Sequence, residues 1–491
     1  MLDPAACYRV LLTRDERFDG RLYVGVTSTG IYCRPICPAR TPKFENCRFF
    51  PSAAGAQEAG FRPCLRCRPE VAPERGSWHG TSNTVSRGLA LIAEGALDGS
   101  DASVEQLAQR LGVGARHLRR LFERHLGAAP VSVAQTRRVN FAKQLIHDTR
   151  LPMAEVALAA GFGSVRRFNE VFHELFGRPP SALRRGRRSS LPEGSAPVTG
   201  VTVRLGYRRP FDWSAILAHL ETRAVAGMEW IGDGEYWRTI EYGGRTGSLH
   251  IDDAPDLRCL RATIRFPTVK ELQIIVERVR RLFDLGADVA AIGEHLAQDR
   301  LLAPLVARRP GLRVPGAWDG FELAVRTVLA QQISLRAARQ LAAQLVAHLG
   351  KPVRGAAAGH PALTRTFPGP AQVAAADLSM LRMPGARRDA IQAIARAALA
   401  NPRLFEPLAD LERTVGRLRA IPGVGEWTAH SIALRVAREP DAFPSGDIAL
   451  LRSVARHGGV PLRPHELRAR AEPWRPWRAY AAQHLWTAER A

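Results

Sequence analysis

The chain has 491 residues, 46% hydrophobic and 24% charged, which is ordinary for a folded globular protein and long enough for three or four domains. No apolar run reaches the roughly 18 residues of a membrane span, and residues 1–10 lack a basic stretch leading into an apolar one; no membrane helix and no signal peptide are expected, and a cytoplasmic location is. The 70 Lys and Arg against 47 Asp and Glu leave a net charge of +23, an excess that attracts polyanions, although an Arg-favouring genome produces the same bias.

Four of the seven cysteines fall in residues 33–67, as Cys33-x3-Cys37 and Cys64-x2-Cys67. In a reducing compartment, two close thiol pairs separated by a loop suit tetrahedral Zn2+ better than disulfides. Pro35, Pro38 and Pro63 stiffen the knuckles, while Cys7, Cys47 and Cys259 stand apart and are expected to be buried small side chains. Residues 73–84 read as a linker.

A helical stretch follows to about residue 185. Ser103 opens a helix with Gln106 three residues on, Leu107, Leu111, Leu118, Leu121 and Phe122 keep helical spacing, and Gly112-Val113-Gly114 makes a turn. A second unit repeats the plan, from Pro152 through Gly161-Phe162-Gly163 to Phe168, Phe172 and Phe176. Two tandem helix-turn-helix units would each offer a second helix to a major groove. The candidate faces carry Arg116, Arg119 and Arg120, then Arg166, Arg167 and Asn169. Residues 184–197 form a basic, Pro/Gly-containing second linker.

Strand-like runs occupy residues 201–260, and from about Val269 the pattern is mostly helical. There, Leu411, Val415 and Leu418 precede Pro422-Gly423-Val424-Gly425, and Ile432, Leu434 and Val436 follow it, predicting two helices joined by a tight hairpin. Glycines at such a turn let backbone amides approach a phosphate at a helix N-terminus, which grips DNA without reading its sequence. Twenty-two residues past Gly425 stands Asp447 in Pro444-Ser445-Gly446-Asp447. Its type and place fit a helix N-cap, a carboxylate that stabilises a sugar cation, or both. Trp427, in the second hairpin helix, offers a face that attracts a cationic base.

These motifs carry family resemblances. Thr29 to Cys37 and Gly60 to Cys67 resemble the N-terminal zinc domain of the Ada family, which implies that Cys33 accepts a methyl group from a methylated DNA phosphate; a purely structural zinc site is the alternative. Methylation of one of four thiolates would change the site from −2 to −1 and tighten DNA binding. Residues 160–164, Phe168, Phe172 and 176–180 resemble the AraC-type DNA-binding domain. The hairpin with Asp447 is similar to the helix-hairpin-helix glycosylase superfamily, whose bifunctional members carry a lysine where Trp427 stands, so base release without strand cleavage is expected. Phe211-Asp212-Trp213-Ser214, residues 309–316, Gln331-Gln332-Ile333-Ser334, residues 474–480 and His484-Leu485-Trp486 resemble the AlkA, 3-methyladenine DNA glycosylase II, family. That resemblance implies that Asp447 is the catalytic carboxylate, that Trp427 and Trp486 line the base pocket, and that Gln332 wedges into the duplex. Ser431 and His219 stand where some members have pocket aromatics, which leaves the lesion range open.

The expected architecture is a multidomain, mainly α protein. It comprises a small zinc α+β domain (1–75), an AraC-type tandem helix-turn-helix domain (84–186), a small antiparallel-sheet α+β domain (200–308) and an all-α helix-hairpin-helix glycosylase domain (309–491). The expected function is a monofunctional glycosylase for alkylated purines fused to a methylation-responsive regulator, acting on damaged and promoter double-stranded DNA as a monomer. The alternative is a methylation-triggered activator whose glycosylase half only clamps DNA. No Pro-Cys-His-Arg run occurs, so no O-alkylguanine methyltransferase activity is expected.

Overall fold

The computed structural model describes residues 3–73, 83–98, 102–185, 200–406, 408 and 410–490. Most of both predicted linkers, residues 74–82 and 186–199, lies outside these. The chain divides into two units: Met1–Arg208 with Ala254–Ile264 and Thr268–Glu277, and Arg209–Asp253 with Arg265–Pro267 and Arg278–Ala491.

The first unit opens with the helix Pro4–Thr13, capped by the Asp3 carboxylate. A four-stranded sheet follows in the order Cys47–Phe50, Tyr23–Val26, Ile31–Cys33, Arg62–Pro63, antiparallel except for the last pair. Tyr23, Tyr32, Ala56 and Phe61 pack beneath it. Cys7 and Cys259 are buried as expected, but Cys47 is half exposed: its thiol donates to the Lys43 carbonyl at 3.3 Å at the end of an edge strand, so it does not join the core.

The helical segment has the predicted two-unit plan. Val104–Leu111 starts on Ser103, whose hydroxyl accepts from the Gln106 amide, and stops at Gly112 with φ 71°. Ala115–Leu126 follows after the Gly114 turn. In the second unit Met153–Ala159 leads to Val165–Phe176, capped by Ser164. The long helix Pro130–Asp148 lies between them in sequence and is buried along much of its length. Phe168 and Phe172 are fully buried with ring centroids 4.7 Å apart, which explains the aromatic spacing of the second unit. Val201–Gly206 pairs antiparallel with Cys259–Arg265 over residues 201–206 and 259–264.

The second unit contains the antiparallel meander Glu229–Gly232, Glu235–Tyr242 and Arg245–Ala254. It is otherwise helical. A single large apolar cluster includes Val325, Val328, Leu345, Ile391, Ile394, Leu418, Ile432, Leu450 and Leu485, all almost fully buried. These residues come from six helices: Gly320–Leu329, Leu335–Leu349, Gly385–Ala400, Leu411–Arg419, Glu426–Arg435 and Ile448–Gly458, with Arg478–Arg490 as a seventh. No helix among the described residues is long and apolar enough to cross a membrane.

Candidate active site and zinc centre

Asp447 starts the helix Ile448–Gly458. Its backbone is extended (φ −72°, ψ 123°), and Oδ1 accepts from the Leu450 amide at 3.0 Å, so the N-cap role holds. Two indoles converge on the same carboxylate. Trp427 Nε1 donates to Oδ2 at 2.8 Å and Trp486 Nε1 donates to Oδ1 at 3.0 Å. Both oxygens are thus held, the group is only half-buried, and each indole is half-buried rather than lost in the core. Three N–H donors on one carboxylate fix its orientation, since hydrogen bonds of this kind are directional. The Arg435 guanidinium lies 5.5 Å from the centroid of the Trp486 ring.

The loop leading to Asp447 is anchored from behind. The Phe443 amide donates to His430 Nδ1 at 3.4 Å, and the Asp447 amide donates to the Pro444 carbonyl at 2.9 Å. Burial pushes His430 down to about 4, so at neutral pH its ring stays uncharged and able to accept. Ser431 donates to the Trp427 carbonyl one turn back, and His219 is buried.

The predicted hairpin joins Leu411–Arg419 to Glu426–Arg435. Gly423 has φ 81°, and a Cβ there would stand 2.3 Å from Ala390 Cβ, so only glycine fits. The expectation that all the turn amides face outward needs correcting. Val424 is buried and its N–H donates to the Ile421 carbonyl at 3.1 Å, inside the turn. Gly423 and Gly425 are the exposed members. Gln332, between Gly320–Leu329 and Leu335–Leu349, is exposed with φ 57°. Sequence reasoning passed over its neighbour Gln331, whose amide reaches Gly423 and Thr428, because no periodicity marks a loop residue that reaches across the fold.

In the first unit the sulfurs of Cys33, Cys37, Cys64 and Cys67 all lie within 4.8 Å of one another. Tetrahedral zinc with Zn–S of about 2.3 Å requires sulfurs roughly 3.8 Å apart, so this set fits. The Arg34 amide donates to Cys67 Sγ and the Arg66 amide to Cys64 Sγ, both at 3.4 Å, which offsets thiolate charge. Cys33 is half exposed, while the other three are buried. On the helix-turn-helix faces, Arg116, Arg119, Arg120, Arg166, Arg167 and Asn169 are all exposed. Arg119 pairs with Glu105 at 2.7 Å, and Arg166 and Arg167 pair with Glu170 at 2.9 and 3.6 Å. Surface pairs of this kind are weak and yield readily to phosphate.

Three family models match the chain: the metal binding domain of Ada over residues 6–70, a helix-turn-helix domain over 107–186 and the AlkA N-terminal domain over 202–319. A Mycobacterium tuberculosis protein named as a bifunctional transcriptional activator/DNA repair enzyme AlkA is 42% identical over 482 residues, covering 98% of this chain and 95% of that one. The chain belongs to this Ada–AlkA family. DNA-3-methyladenine glycosylase 2 of Escherichia coli is 33% identical over 58% of the chain and 96% of its own length. AdaA of Bacillus subtilis is 29% identical over 36% of the chain and 81% of its own length. The solved 3-methyladenine DNA glycosylase of Archaeoglobus fulgidus shares the fold, with TM-score 0.52 at 20% identity over 58% of this chain and 98% of that one. As an Ada–AlkA family member, the chain is a DNA glycosylase module fused to a zinc-binding, DNA-binding regulator. The four-cysteine cluster is its zinc site.

Proposed function

We propose that Asp447 is the catalytic carboxylate of a monofunctional glycosylase that hydrolyses the N-glycosidic bond of alkylated purines of the 3-methyladenine type in duplex DNA. The observation that carries this reading is the carboxylate held at both oxygens by two indole N–H groups, in a helix that starts beside the second hairpin helix. The exposed Gly423 and Gly425 hold the phosphodiester backbone, and Gln332 fills the gap left when the damaged base is extruded. Trp427 and Trp486 flank the extruded base, whose positive charge suits an aromatic wall. As the C1′–N bond lengthens, the Asp447 anion stabilises positive charge developing on the sugar and takes a proton from the attacking water. The purine leaves with the bonding electron pair, and water's oxygen bonds to C1′. Position 427 offers no amine, so no Schiff base forms and the strand is left uncut.

The proposed division is a sensor at 1–75, a DNA reader at 84–186 and a glycosylase at 200–308 and 309–491, working as a cytoplasmic monomer with no membrane association. At the sensor, zinc when bound keeps the ligand sulfurs as thiolates. The sulfur of Cys33, the residue of the four that is not fully buried, forms a bond to the methyl carbon of a phosphotriester, the O–CH3 bond breaks and its electron pair stays on the phosphate as a diester anion. The site then carries one negative charge less, which strengthens binding by Arg116, Arg119, Arg166 and Arg167.

Mass spectrometry after incubation with methylated duplex tests both chemistries at once. The expected products are free alkylated purine, an uncut abasic strand and a protein one methyl heavier on its Cys33 peptide. Promoter binding with no base release would instead favour the reading in which the glycosylase half only clamps DNA. Methyl uptake undiminished in Cys33→Ser would contradict the acceptor assignment.

A further inference from the structure

Gln331 and Gln332 are adjacent but serve different ends. Gln332 is exposed and stands at φ 57°, where a residue with a Cβ is strained and persists only if its surroundings hold it. Gln331 does the holding. Its Nε2 donates to the Gly423 carbonyl at 3.3 Å and to Thr428 Oγ1 at 3.0 Å. Gly423 is the hairpin's tight turn, and Thr428 lies in the first turn of the helix Glu426–Arg435. The carbonyl of Gln331 accepts from Arg387 at 2.9 Å, and Arg387 belongs to the helix Gly385–Ala400.

The same helix closes the arrangement from the other side. Its Ala390 is the atom cluster against which Gly423 packs too tightly for any side chain. Its Arg388 donates to the Met383 carbonyl at 2.6 Å, which fixes the start of that helix. Ser334 accepts from the Ala337 amide at 3.2 Å and fixes the exit of the glutamine loop. Loop, hairpin and helix are therefore tied together in one small region.

We propose that Gln331 and Arg387 are positioning residues for base extrusion, bracing the loop that carries Gln332 against the hairpin that grips the backbone. The inference rests on the reading of Gln332 as a wedge. Pushing a base out of the stack costs free energy, and the duplex pushes back. A wedge on a yielding loop would recoil. A wedge tied to the element that holds the phosphates moves the base relative to its own backbone. Gln332 cannot supply this tie, because its side chain is the working end.

The test is single-turnover release of 7-methylguanine from two substrates: a fully paired duplex, and the same strand with the lesion in an unpaired bulge, where little extrusion remains to be done. Gln331→Met and Arg387→Met should each slow release from the duplex about tenfold and change release from the bulge by less than about twofold. In a Gln332→Ala background, Gln331→Met should add less than about a further twofold, since both act on one step. Equal slowing on both substrates, unchanged release from the duplex, or full additivity with Gln332→Ala would overturn the brace. The two readings fail differently. If Gln332→Ala leaves duplex release unchanged, the wedge falls and the brace with it; if Gln332→Ala slows release and Gln331→Met does not, the brace alone falls.

Discussion

At Asp447 three N–H groups meet one carboxylate, and the two indoles among them come from Trp427 and Trp486, 20 and 39 residues away in sequence. Loss of one charge-assisted bond is worth about 1.5–3 kcal/mol, so Trp486→Phe, which keeps the aromatic face and removes the N–H, should slow base release roughly tenfold or more. The specific measurement is affinity for two abasic duplexes, one with a cationic pyrrolidine and one with a neutral tetrahydrofuran at the lesion. Trp486→Phe should weaken the first more than the second, whereas equal weakening would mean that the indole only packs. The sequence made the residue types at this site legible: a carboxylate at a helix start, two tryptophans and a glycine hairpin. It did not make their bonds legible, because hydropathy spacing says which side of a helix is buried and nothing about where an indole N–H points. The same limit explains Val424, whose amide turns inward, and Gln331, which has no pattern to betray it.

Among the elements, the helix Pro130–Asp148 carries an unusual load. Lys143 and Glu70 are both fully buried and paired at 2.6 Å, and Lys143 Nζ also donates to the carbonyl of the zinc ligand Cys64 at 2.8 Å. One turn on, Asp148 pairs with Arg68 at 2.9 Å and with Arg204 at 2.5 Å. Gln144 donates to the Arg204 carbonyl at 2.6 Å. Burial pushes the Glu70 and Asp148 carboxyls up, but the cations beside them outweigh it and both end below their ordinary values. The short helix Ala53–Glu58 also meets the end of the first candidate reading helix, through its N-cap Ser52, whose Oγ donates to the Leu126 carbonyl at 2.5 Å. Without Lys143, Glu70 keeps its pair with Arg68 at 2.9 Å, but its second oxygen and the Cys64 carbonyl lose their donor, so the cost is below the roughly 3–5 kcal/mol of a fully stranded buried charge. Lys143→Met should therefore lower the melting temperature of the first unit, and Lys143→Met with Glu70→Gln should recover part of the loss. A calorimetric scan in which Lys143→Met melts like the parent chain would contradict this. The helix was legible in sequence. The burial of its lysine was not, because Lys143 is a charged residue inside a pattern that assigns such residues to the surface.

For the whole chain, two titrations and the net charge set the response to solution. Burial holds His430 and His484 near 4, against an ordinary 6.5. The unfolded chain therefore binds more protons than the folded one between those values, so stability is full above about 6.5 and falls as pH drops toward 4. Melting temperature measured across that range should fall on acidification, and His484→Gln should flatten the fall. A flat profile in the parent chain would contradict the assignment. The charge of +23 predicts affinity for undamaged duplex that drops at least about tenfold between roughly 50 and 200 mM salt, read by anisotropy. The order of modules was legible because cysteine spacing, tandem turns and the glycine hairpin are local signals; the long-range ties that hold each unit together are not local and left no trace in the pattern. The catalytic role of Asp447 is tested most directly by the single-turnover rate at which Asp447→Asn, in the full chain, frees the methylated base from a lesion duplex it still binds. The expected result is a loss of at least about 100-fold with duplex affinity retained. Release at the parent rate would contradict it.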